Sequence, residues 1–207
     1  MNGIHDGYIT FFLLLLSFIL LTTGWNRELA EELTWKQAAF FAAGWFVTQP
    51  AVSVLAGGAF ILRGSVLWTL GASVFVCMRG VRGRHPGYIF FCSVLLGMFW
   101  VWVEALYNSD PLLEIFDSRL DVPLLCGSLA TLLVQQAGQQ FVVITLASAV
   151  KSILSASILT GAVVEAGSWN WWDGYFLALA SARLTSIVFR YFAALAALLF
   201  NNREGDV

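Results

Sequence analysis

The run "FVVITLASAVKSILSASILTGAVV", residues 141–164, contains a single charge, Lys151. An α-helix rises about 1.5 Å per residue, and about 20 residues cross the hydrocarbon core of a bilayer. The run is long and apolar enough to be a membrane span. It also raises the question of why such a span carries a lysine.

The whole chain repeats this character. Of its 207 residues 59% are hydrophobic and 12% are charged, against roughly 45–50% and 25% in soluble domains. A soluble fold could not cover so much apolar surface with so few charges. The composition implies an all-α, polytopic bundle of transmembrane helices in a single integral membrane domain. Seven apolar segments are expected, at about 8–25, 37–56, 65–78, 88–107, 122–137, 141–164 and 174–200. The second is interrupted by Gln49-Pro50 and by Gly57-Gly58, pairs unsuited to a helix interior. Residues 49–64 are therefore read as a helix end followed by an irregular or re-entrant segment.

The N-terminus lacks the basic region and cleavage site of a signal peptide, so the first apolar run is read as a retained span. Loop charges set the orientation. With the N-terminus outside, Arg27, Lys36, Arg79, Arg82, Arg84 and Arg203 face the cytoplasm, while only Arg63 and Arg119 lie outside. An odd number of spans then leaves the C-terminus cytoplasmic. Trp169, Trp171, Trp172 and Tyr175 in "SWNWWDGY" suit an interfacial aromatic anchor.

Motifs for chemistry are missing. His5 and His85 have no second ligand at metal-site spacing, and Cys77, Cys92 and Cys126 fit neither a disulfide framework nor a zinc site, so all three are read as buried thiols. No nucleophile elbow, metalloprotease helix or phosphate loop occurs. The net charge of −2 offers nothing to a nucleic acid. The expectation is a protein that is not an enzyme and has no cofactor, metal or nucleic-acid partner. Membrane lipids and other membrane proteins, a second copy included, are its expected partners.

Function is most readily sought at ionisable residues inside the spans: Glu104, Lys151, Arg183 and Arg190. A charge at the bilayer centre costs on the order of 2.5–3.5 kcal/mol even on lenient scales, so it calls for a partner or a wet cavity. Counted from the start of its run, Lys151 falls near the midplane. Ser148, Ser152 and Ser155 lie within a turn of it, and Ser148, Ser152, Ala156 and Thr160 form a small-residue stripe that lets another helix approach. Glu104 is its expected partner, with Arg183 nearby as a second cation. Arg183 and Arg190, seven residues apart, return to one helical face about 10 Å from each other.

The stretches "ILLTTGWNREL" (19–29), "LTWKQAAFFAAGWF" (33–46) and "EALYNSDP" (104–111) resemble the YphA-like membrane proteins of spore-forming Firmicutes. The resemblance implies a small multi-span protein of the bacterial cytoplasmic membrane, with sporulation as a process it could serve, and carries over no catalytic residues. Two functional classes follow. The first is a non-enzymatic protein that binds helices or lipids as a scaffold or assembly factor. The second is a small transporter or channel with a polar path along the sixth and seventh spans.

Overall fold

A computed structural model describes residues 6–24, 35–55, 60–78, 86–110, 117–158 and 163–201. Its helices are α1 (Tyr8–Thr22), α2 (Trp35–Thr48), α3 (Gly64–Met78), α4 (Pro86–Ser109), α5 (Ser118–Leu133), α6 (Ala137–Ile158) and α7 (Trp169–Asn201). Three short strands join them: β1 (Val52–Leu55), β2 (Phe60–Arg63) and β3 (Val164–Ala166). The all-α expectation is thus corrected by a small sheet.

That sheet arises where the second span was expected to continue to residue 56. Proline cannot donate a backbone hydrogen bond and disfavours helix in the residue before it. Accordingly α2 stops at Thr48, ahead of Gln49-Pro50. The chain then turns outward as β1, whose residues Val52 to Leu55 pair antiparallel with Arg63 to Phe60 of β2. Strand β2 also runs parallel to β3, with Phe60 beside Val164 and Leu62 beside Ala166. A hydrogen bond of 2.7 Å from Gly64 N to Ala51 O closes the base of this excursion, and α3 starts there. The expected break at Gln49-Pro50 is present; Gly57-Gly58 falls outside the described residues.

The helices alternate in direction between two ends. At the sheet end, Gly7 and Thr10 before and within α1 meet Asp173 at the start of α7, and Gln49 after α2 bonds Gly167 O. Arg119 of α5 reaches Asp6 there, and Glu104 of α4 meets Lys151 of α6. At the opposite end Tyr88 of α4 donates to Leu133 O of α5, and Gly138 of α6 sits against Val76 of α3. The largest fully buried side chains, Trp45, Trp100, Trp172 and Tyr175, form the core towards the sheet end.

Close helix contacts are made at glycines. A Cβ on Gly97 of α4 would lie 2.8 Å from Ala147 O of α6, and one on Gly127 of α5 would lie 2.1 Å from Ala178 O of α7. Small residues permit such approach where lipid gives helices no hydrophobic reason to associate. Helices α5 and α6 meet at a break over 134–136, where Val134 is extended. Its freed carbonyl accepts from Gln140 Nε2 at 3.1 Å, as a buried backbone group requires.

Candidate functional site at the sheet end

Lys151 Nζ donates to Glu104 Oε1 at 2.5 Å, and the expected pair is formed. Trp100, one helical turn before Glu104, supports both partners. Its indole Nε1–H donates to the same Glu104 oxygen at 3.2 Å, and its ring lies 5.0 Å beneath the Lys151 ammonium. An ammonium over an indole face gains cation–π attraction that grows as water is excluded. The two side chains remain partly open, at 22% and 33% exposure.

Helix α6 is described from Ala137 to Ile158, and Lys151 stands about 21 Å from its start. Residue 164, the expected end of this span, belongs to β3 (Val164–Ala166). The pair lies level with the first turn of α7. Trp171 of that turn donates from its indole to Ser152 Oγ at 2.9 Å. Ser148 and Ser152 are buried, whereas Ser155 is half-buried on the way to the sheet end.

The aromatic run of α7 packs into the protein, with Trp169 and Trp171 half-buried. Trp172 and Tyr175 are buried, Trp171 stacks on Tyr175 with ring centres 5.7 Å apart, and Trp45 packs edge-on against Trp172 at 5.2 Å. The Tyr175 hydroxyl shares a 2.9 Å hydrogen bond with Thr145 of α6. Alternating rings of this kind fill a core with favourable edge-to-face contacts.

Asp173, within the same run, is a key residue that the sequence reading missed. Its buried carboxylate accepts from Gly7 N at 2.7 Å, from Thr10 N at 2.7 Å and from Thr10 Oγ1 at 2.6 Å. These backbone donors are among those that the start of α1 leaves without intrahelical partners. A helix N-terminus also carries partial positive charge, which an acid stabilises. Asp173 therefore caps α1 from another helix. Nearby, Arg63 Nη2 of β2 pairs with Glu165 Oε1 of β3 at 2.6 Å, tying the parallel strands together.

Arg183 is not brought to Lys151. It is buried, and its Nη1 donates to Gln140 Oε1 at 3.2 Å. Gln140 precedes Lys151 by eleven residues, which is about 16 Å along α6. Nor do the two arginines share an environment, since Arg190 is exposed on α7. Polar contacts surround Arg183 along α5 and α7: Ser128 with Ser181 at 3.1 Å, Thr131 with Ala182 O at 2.7 Å, and Ser186 with Gln135 O at 3.3 Å. Of the cysteines, Cys92 and Cys126 are buried and Cys77 half-buried, all three as free thiols.

Together these features define a class: an integral membrane protein whose polar interior ties its helices to one another. Three helices, Pro86–Ser109, Ala137–Ile158 and the Trp169–Ala197 part of α7, are long and apolar enough to cross a membrane, and Tyr8–Thr22 and Gly64–Met78 are shorter apolar helices. The model of the YphA-like integral membrane protein family matches residues 51–206, and the chain belongs to that family. Of the stretches that carried the resemblance, "EALYNSDP" lies inside the matched region and the other two precede it. No curated protein and no solved structure matches the chain.

Proposed function

We propose that this protein is a non-catalytic component of the bacterial cytoplasmic membrane that crosses it seven times and holds partner helices or lipids against its bundle. The sheet end is outside and the C-terminus cytoplasmic. A scaffold or assembly role, in sporulation where the family's hosts form spores, is the biological form of this reading.

The observation that carries it is the mutual pairing of the interior charge and hydrogen-bonding groups. Lys151 is met by Glu104 and Arg183 by Gln140. An intramembrane charge satisfied by a neighbouring helix fixes helix position at low cost, and such a group serves architecture. The test is a double-mutant cycle on Lys151→Met and Glu104→Gln, followed by thermal unfolding in detergent. Glu104→Gln should destabilise more, because it strands an ammonium. The double variant should recover part of the loss, with a coupling of about 0.5–2 kcal/mol. Strictly additive effects would remove the structural role of the pair.

One observation favours the transporter reading. Ser128, Thr131, Gln140, Ser181, Arg183 and Ser186 line the contact of α5 and α6 with α7 as a polar seam. Ion or water flux into proteoliposomes that is abolished by Arg183→Met in a normally folded protein would favour that reading over the first.

A further inference from the structure

The Lys151–Glu104 pair has bonding capacity left over. An ammonium has three N–H donors and a carboxylate two acceptor oxygens. Glu104 Oε1 takes both the Lys151 and the Trp100 bonds, and among the described residues Oε2 takes neither. Both side chains are partly exposed. Ser155 lies one turn nearer the sheet end on the Lys151 face of α6, and Tyr107 lies three residues beyond Glu104 on α4; both are half-buried. The pair can thus be reached from outside the bundle, and the Trp100 ring lies beneath it.

We infer that this partly exposed pair binds a phosphate–ammonium zwitterion, with Lys151 donating to the phosphate and Glu104 Oε2 accepting from a primary ammonium. The site as a whole is neutral. A simple anion would gain from Lys151 and lose to Glu104, and a simple cation would do the reverse. The complement of a fixed dipole is an antiparallel dipole. Trp100 holds both charges in place, through its ring for one and its N–H for the other, so little ordering is left to do on binding. Ile158, two turns beyond Lys151 on α6, is exposed. An apolar side chain there favours a ligand with acyl chains, such as a phosphatidylethanolamine headgroup, over its soluble ester. This inference rests on the lipid-binding reading proposed above and narrows it to one headgroup chemistry.

The test is native mass spectrometry of the full chain with equimolar phosphatidylethanolamine and phosphatidylglycerol. Phosphatidylcholine and soluble glycerophosphoethanolamine serve as further probes. The expected result is at least a fivefold preference for the ethanolamine lipid in the first bound lipid. Phosphatidylcholine, which has no N–H to give Glu104, should compete poorly. The preference should vanish in the Lys151→Met/Glu104→Gln double variant, which removes both charges together and whose folding is checked by its thermal transition. Competition by glycerophosphoethanolamine at the same concentration as the lipid would keep the zwitterion chemistry and make the source a soluble ester. Equal retention of both lipids by the wild type, or an unchanged preference in the folded double variant, would overturn the site while leaving general lipid binding intact. Failure to retain any lipid would overturn both.

Discussion

Asp173 accepts three hydrogen bonds from the start of α1, two from backbone N–H groups and one from Thr10. Hydrogen bonds to charged groups contribute about 1.5–3 kcal/mol, and stranding buried donors adds to the loss. Asp173→Ala should therefore destabilise the protein by about 2–4 kcal/mol. It should also speed hydrogen exchange at the amides of residues 7–12 while leaving those of α4 and α6 protected. Asp173→Asn, which keeps one acceptor, should fall between. Unchanged exchange in the alanine variant would show that packing of Phe11 on Trp169 holds α1 by itself. Single residues were unevenly legible in the sequence. Lys151 and Glu104 stood out because a charge in an apolar run demands a partner, and the two did meet. Asp173 sat at the edge of an expected span, where an acid looks merely solvated. Arg183 was assigned to the wrong neighbourhood because its partner, Gln140, is neutral. A charge search does not find an amide.

Between elements, contact is set by what the helices lack. A Cβ on Gly127 would sit 2.1 Å from Ala178 O and 2.8 Å from Ser181 Cβ, and neither neighbour is a flexible side-chain tip. Gly127→Ala should thus push α5 from α7 and lower stability by about 1–3 kcal/mol, the usual cost of overpacking. Gly71 of α3 is the control, since a Cβ there would meet nothing within 4 Å. Gly71→Ala should be neutral or slightly stabilising, as alanine is the better helix former. Thermal unfolding of the two variants side by side checks this, and equal effects would mean that the α5–α7 contact is looser than described. The small-residue stripe of α6 was readable because its period of four is helical. The end of α2 was readable because Gln-Pro is a backbone signal. The sheet was not recognised, although two apolar runs around "AGGA" (56–59) have the form of a hairpin. In a chain so apolar, a four-residue strand is hidden inside what looks like a span, and the parallel pairing with β3 depends on residues a hundred positions away.

At the scale of the molecule, the acids are sorted by end. All the acids among the described residues, Asp6, Glu104, Asp110, Asp117, Asp121, Glu165 and Asp173, lie towards the sheet end. The sequence between α3 and α4, 79–85, contains Arg79, Arg82 and Arg84. Lysine and arginine near short loops are retained on the cytoplasmic side during insertion, while acids contribute little to that choice. The proposed orientation therefore rests on the basic residues, and the acidic sheet end takes the outside by consequence. Cysteine accessibility can decide it in a variant whose Cys77, Cys92 and Cys126 have been replaced; since Cys92 and Cys126 are buried, that variant's thermal transition must first match the parent's. A cysteine placed at 110–119 should react with a membrane-impermeant maleimide on intact cells. One placed at 79–85 should react only after the membrane is permeabilised. The reverse pattern would invert the protein in the membrane, and reaction of both from outside would break the seven-crossing count between α4 and its neighbours.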